Sequence, residues 1–198
     1  MSEIQQNKPE KEGTAQYDLK KTIVMVGMMG AGKTAIGRAL AARIGVPFLD
    51  SDAEIEAAAS RTVPEIFARD GEAFFRARET QVISRLLDAQ RGVLSTGGGA
   101  FLAEVNRRNI SERGVSVWLN ADLDLLWQRV RHKDTRPLLR TPDPRATLAE
   151  IYDARVPLYA LADVSVKSLP DLSIEEMADR VMATLIADRS DVLEIRDA

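Results

Sequence analysis

The chain has 198 residues, 45% of them hydrophobic, which is enough for one good core and too little for two comfortable domains. Its 27 basic and 30 acidic residues leave a formal net charge of -3, which argues against a broad nucleic-acid or anionic-membrane surface, so any anion must be drawn in by a local site. The absence of cysteine excludes disulfides, thiolate metal sites and cysteine nucleophiles, and suits a reducing, cytoplasmic setting.

Residues 1–18 lack the apolar stretch of a signal peptide and carry Glu3, Glu10, Glu12 and Asp18, so they read as a solvated tail. The charged stretch 188–198 reads as a second tail, leaving 19–187 as one domain. No run approaches 18 apolar residues, so no membrane span is expected. Short apolar, β-branched runs at 22–26, 47–49, 93–95, 115–119 and 164–166 alternate with helical patterns. That alternation predicts an α/β fold in three layers, with a five-stranded parallel sheet flanked by helices.

The first run opens into GMMGAGKT and then a helical segment, 35–44. Gly27, Gly30, Gly32, Lys33 and Thr34 fit the phosphate-loop pattern G-x-x-x-x-G-K-[ST] with one additional glycine. The main-chain N–H groups over Gly30, Ala31, Gly32, Lys33, Thr34 and Ala35 can converge on the phosphates of ATP at a helix N-terminus. Lys33 can reach the β and γ phosphates, and the Thr34 hydroxyl can sit on Mg²⁺.

The second strand gives way to Asp50-Ser51-Asp52 at the carboxyl edge, where open α/β sheets bind ligands. Asp50 could hold Mg²⁺ through water and Asp52 could accept a substrate hydroxyl; helix capping is the alternative role for these residues. Phe75, Val82, Ile83, Leu86 and Leu87 line the next helix, with Arg76 beside its anchoring pair, either as a ligand fork or as a surface arginine paired with Glu72 or Glu79. The strand at 93–95 then runs into Gly97-Gly98-Gly99 without the carboxylate that hydrolytic phosphate-loop ATPases place there, and no N-K-x-D occurs. Transfer of the γ-phosphoryl group to a small acceptor is favoured over hydrolysis, and the metal-facing carboxylate must come from elsewhere.

Leu123, Leu126, Trp127 and Val130 mark a further helix, followed by 131–145, an Arg- and Pro-rich connection without periodicity that reads as a mobile lid or an ordinary solvated loop. His132, the only histidine, is expected to be exposed. Leu148, Ile151 and Tyr152 share a stripe with Arg155, where a guanidinium is costly unless it meets an anion or snorkels to water. Ile174, Met177, Val181 and Leu185 line the last helix.

The segment 27–37, then FLDSDAEIE, PEIFARDGEAFFRARE, STGGG, DTRPLL and ARVPLY, taken in order over about 22–181, resembles the shikimate kinases. That resemblance implies a nucleoside monophosphate kinase-like fold and phosphate transfer from Mg-ATP to the 3-hydroxyl of shikimate in aromatic amino-acid biosynthesis. It also implies a monomer whose partners are small molecules alone, with no nucleic acid and no membrane. It implies shikimate binding by Asp52, Arg76, Gly98 with its neighbours Gly97 and Gly99, and Arg155. It further implies a lid bringing Arg136 to the transferring group, and Arg129 on the adenine side. Lys33, Asp52 and Arg136 would be the catalytic groups, with Thr34 on the metal directly and Asp50 through water. Two residues depart from the pattern: Ala35 replaces a second hydroxyl residue, and Ser60 replaces a glycine, at a cost of up to about 1 kcal/mol if the position is left-handed. The rivals are another small hydroxy-acid kinase, such as gluconate kinase, and a nucleotide-binding module without catalysis.

Overall fold

A computed structural model describes residues 16–132 and 137–196. The described chain runs β1 (Gln16–Leu19), β2 (Thr22–Val26), α1 (Lys33–Ile44), β3 (Phe48–Asp50), α2 (Ser51–Ala59), α3 (Val63–Ala89), β4 (Val93–Ser95), α4 (Glu104–Arg113), β5 (Gly114–Asn120), α5 (Leu123–Val130), α6 (Pro144–Tyr159), β6 (Val164–Lys167), α7 (Ile174–Asp188) and β7 (Leu193–Arg196). Strands β2 to β6 form one parallel sheet in the order β3-β4-β2-β5-β6, as the alternation of apolar runs and helices requires. The central strand β2 is buried along its whole length, which is why it reads as a continuous apolar run instead of an alternating one. Helix α1 packs with α7, and α3 with α4, so that most of the apolar side chains join one core.

Register fixes the functional edge. Asp50 and Met25 both pair with Ser95, so β2, β3 and β4 end side by side and release three segments there: the loop before α1, the start of α2, and Gly97-Gly98-Gly99. A separate small cluster of Ile55, Ile66 and Phe75 ties α2 to α3, each such side chain contributing about 1.5–3 kcal/mol when fully buried. Within α3, Gly71 leaves the helical region (φ 82°, ψ 170°) and breaks the helix into two segments.

Four details differ from the sequence-based expectation. The two presumed tails contribute β1 and β7, which pair antiparallel over Gln16–Leu19 and Leu193–Arg196; Leu19 and Leu193 of that ribbon, and Val192 just before β7, are buried, so the boundaries at 18 and 188 separate residues that pack together. Four-residue strands with a single buried anchor leave too little pattern to recognise. Helix α4 was not anticipated, because EVNRRNISER buries only Asn106 and Ile110 and shows no apolar stripe. The second strand starts and ends one residue later than 47–49, making Asp50 its last residue. Finally, α6 begins at Pro144, inside the stretch assigned to the lid, with Asp143 as its N-cap. Ser60 is left-handed (φ 49°, ψ 39°), the only non-glycine residue with positive φ among those described, so the conditional cost noted from the sequence applies.

Candidate active site

The loop from Gly27 to Gly32 joins a buried strand to a helix whose N-cap is Gly32, with φ 93°, where a side chain would be strained. No side chain caps α1 and no acidic residue stands in its first turn, so its free N–H groups are left to an anionic ligand. A Cβ on Gly30 (φ +81°) would also lie 2.6 Å from Val130 Cγ1, which shows how closely α5 approaches the loop. Lys33 Nζ donates to the carbonyls of Gly27 (2.8 Å) and Met28 (3.0 Å), folding its ammonium back over the loop. Arg129 donates to Gly30 (3.4 Å) and Ala31 (3.3 Å), so its guanidinium faces the loop main chain; burial pushes its pKa down.

The hydroxyls of Thr34 and Ser95 lie 3.2 Å apart, placing a serine where the sequence lacks the usual strand-end carboxylate. Asp50, across from Ser95 in the ladder, accepts from the amides of Asp52 (3.0 Å) and Ala53 (3.1 Å) through Oδ1. Capping is therefore an actual role of Asp50, and its position also brings a carboxylate to the edge beside Thr34.

The three glycines at 97–99 each face a different charged side chain. A Cβ on Gly97 would lie 2.9 Å from Asp52 Oδ1 and 3.2 Å from Glu79 Oε1. At Gly98 it would meet Arg155 Nη1 at 3.6 Å and the Met29 amide at 3.8 Å, and at Gly99 it would collide with the Arg76 guanidinium, 2.4 Å from Nη2. Absent side chains thus let one loop gather Asp52 from α2, Arg76 from α3 and Arg155 from α6 next to the phosphate loop. Thr96 ties the same turn to β2 by donating to the Met25 carbonyl at 3.0 Å.

Desolvation raises the pKa of Asp52, with Asp50 adding to it and Lys33 and Arg76 opposing. Its Oδ1 is buried and has no hydrogen-bond partner among the described residues. Arg76 donates to Glu79 Oε2 at 2.8 Å and lies 3.4 Å from Glu72, so the pairing weighed as an alternative does occur, while the same guanidinium covers Gly99. Burial works against the Arg76 charge, but these carboxylates outweigh it and raise its pKa.

Two residues of the site escaped the sequence reading. Glu79 is fully buried on the α3 stripe with Phe75 and Ile83; burial raises its pKa against the pull of Arg76, and its Oε1 is unpartnered among the described residues. A carboxylate at apolar spacing was the available signal, the same one that marked Arg155. Tyr159, one turn beyond Arg155, is fully buried and donates its hydroxyl proton to the Gly98 carbonyl. Arg136 lies outside the described residues, and His132 is exposed. Among the described residues no group of three His, Asp or Glu could by itself hold a metal, and no helix is long and apolar enough to cross a membrane.

A family model described as shikimate kinase matches residues 29–186. The chain is 68% identical over 195 residues to a shikimate kinase of Ruegeria pomeroyi, covering 98% of this chain and 100% of that one. It is 66% identical to a shikimate kinase of Cereibacter sphaeroides, over 89% and 87% of the two chains. Among solved structures, shikimate kinase from Acinetobacter baumannii in complex with shikimate is 37% identical, covering 86% of this chain and 95% of its own, with a TM-score of 0.80.

Proposed function

The chain belongs to the shikimate kinase family, and from that membership we infer its reaction: transfer of the γ-phosphoryl group of ATP to the 3-hydroxyl of shikimate, giving shikimate 3-phosphate for aromatic amino-acid synthesis. The observation that carries the assignment of individual residues is the convergence of Asp52, Arg76 and Arg155 on three consecutive glycines beside the phosphate loop. Shikimate has one carboxylate and several hydroxyls, which call for guanidinium forks at one end and a hydrogen-bond acceptor at the other. Arg155 and Arg76 supply the forks, and Asp52 the acceptor.

In this reading the N–H groups over Gly30 to Ala35 hold the β and γ phosphates, and Lys33 exchanges its two loop carbonyls for phosphate oxygens. The shikimate oxygen attacks the γ phosphorus as the bond to the bridging oxygen of ADP breaks; the hydroxyl proton passes to Asp52 or to water. Burial makes Asp52 a better proton acceptor than an exposed aspartate, although a loose transition state asks little of a base. Arg136 would bring positive charge from the lid once both substrates are seated, which suppresses hydrolysis of ATP.

The hydroxyl pair Thr34–Ser95, with Asp50 alongside, is a hard-oxygen set with one carboxylate, which fits an Mg²⁺ ion carried mainly by the nucleotide phosphates. Thr34 would hold it directly and Asp50 through water, and the bound ion would neutralise charge on the transferring group. Initial rates with Mg-ATP and shikimate, set beside gluconate under the same conditions, test the function. Robust turnover of shikimate is expected, and turnover of gluconate alone would overturn the assignment.

A further inference from the structure

The loop 97–99 carries no side chain, so hydrogen bonds alone fix the orientation of its peptide groups. Gly97 and Gly99 use their carbonyls locally, accepting from the amides of Ala100 (3.1 Å) and Leu102 (3.2 Å) in the short turn that follows. The Gly98 carbonyl is different: it accepts from the hydroxyl of Tyr159, 61 residues away on α6. The two peptide atoms flanking that bond are coupled, because a trans peptide points the carbonyl of Gly98 and the amide of Gly99 in opposite directions. Holding the carbonyl toward the buried phenol therefore turns the Gly99 amide away from it.

The same phenol has a charged neighbour. Arg155 stands one turn earlier on α6, its positive charge near enough to oppose the rise that burial imposes on the pKa of Tyr159, and its Nη1 comes within 3.6 Å of where a Gly98 side chain would begin. A phenol can give one proton and accept another, so donation to Gly98 and acceptance from a guanidinium are compatible. The ring itself is fully buried and stacked near Trp118, with centroids 6.4 Å apart and planes 25° from parallel, so it has little freedom to swing.

We propose that Tyr159 is a positioning residue for the acceptor: its hydroxyl sets the Gly98–Gly99 peptide and the Arg155 guanidinium in one fixed relation, so that both meet shikimate already oriented. It acts through Arg155 and the loop and touches no reacting atom. The inference rests on the reading of Arg155 as a carboxylate fork.

The test is steady-state kinetics of Tyr159→Phe, which removes the hydroxyl and keeps the ring, together with Arg155→Ala and the double variant. The KM for shikimate of Tyr159→Phe should rise roughly 10-fold, as a charged fork and a loop peptide that lose their fixed orientation imply, while the KM for ATP stays within about twofold. The double variant should be little worse than Arg155→Ala alone. A purely structural tyrosine would lower the active fraction and leave both KM values unchanged, which would overturn the proposal. If Arg155→Ala leaves the shikimate KM unaltered, the reading of Arg155 fails first; if Arg155→Ala raises it and Tyr159→Phe does not, only the role of Tyr159 fails. Should Tyr159→Phe not fold, 3-fluorotyrosine labelling of the three tyrosines supplies the measurement, with Tyr17→Phe and Tyr152→Phe assigning the fluorine resonance of Tyr159. That resonance should move on saturation with shikimate and not with ADP; no movement with shikimate would refute the inference.

Discussion

Adding one methyl group at Gly99 should separate acceptor binding from everything else the enzyme does. Gly99 has φ -92° and ψ -11°, which an alanine adopts without strain, so Gly99→Ala makes no demand on the backbone. The new Cβ would sit 2.4 Å from Arg76 Nη2 and 2.7 Å from both Cζ and Nη1. Unstrained contacts between such atoms lie at roughly 3.5 Å or more, so the guanidinium must retreat by about 1 Å. It can do so cheaply, being the end of a flexible side chain, and the fold should survive. A misplacement of about 1 Å in a substrate-orienting group costs on the order of 100-fold, or about 2.7 kcal/mol, in kcat/KM. The assay is kcat/KM for shikimate at saturating ATP, alongside the KM for ATP and the thermal unfolding transition. A wild-type value for shikimate, or parallel losses for shikimate and ATP, would refute the argument that Gly99 is bare in order to seat Arg76.

Three further outcomes are expected. Lys33→Met should lower kcat by about 100-fold or more while the thermal transition remains cooperative, because a charge aimed at the phosphates is lost along with two loop hydrogen bonds; a fully active variant would contradict the role given to the loop. Ser60→Gly relieves a left-handed serine at the end of α2 and should stabilise by about 0.5–1 kcal/mol, or about 1–4 °C in Tm, with activity retained; an unchanged or lower Tm would count against strain at that position. Asp52→Asn should abolish most turnover yet raise Tm near pH 7. Because the pKa of Asp52 is raised on folding, its contribution to stability is fully present below the unfolded value of 3.8 and is lost as pH rises through the folded one, so the advantage of Asn should shrink towards pH 4; a Tm advantage independent of pH would show that ionisation is not its cause.

Much of the fold was legible because the parallel sheet is buried on both faces, which forces its strands into predominantly apolar runs at 22–26, 93–95 and 115–119. Arg155 was legible for a related reason, as a charge among Leu148, Ile151 and Tyr152 that water alone could not easily serve. What failed to show were elements whose stability comes from a distant partner. Each strand of the β1–β7 ribbon means little until the other end of the chain lies beside it, and α4 is a polar helix that tertiary packing holds in place. Glu79 followed the rule that revealed Arg155, but its partly exposed partner, Arg76, made the pair look like an exposed i, i+3 bridge when only the linear spacing was in view.

The glycine run concentrates the same lesson in three residues. Read along the chain, Gly97-Gly98-Gly99 is a tight turn and carries little information, since any turn tolerates glycine. In space each glycine clears room for a different side chain, and those side chains come from α2, α3 and α6, separated by up to about a hundred residues of sequence. The charge arrangement follows from that convergence: carboxylates of Asp52 and Glu79 crowd Gly97, guanidiniums lie against Gly98 and Gly99, and the sheet edge sets the phosphate loop beside them. Burial leaves one oxygen of each carboxylate unpartnered among the described residues, a cost the free protein bears. Under the proposed function, a ligand with hydroxyls at one end and a carboxylate at the other would relieve both oppositely charged ends at once. On the proposed assignment, a simple anion would satisfy only the guanidiniums and a neutral polyol only the acids, so a hydroxy acid is the ligand that the side chains gathered at the three glycines would favour.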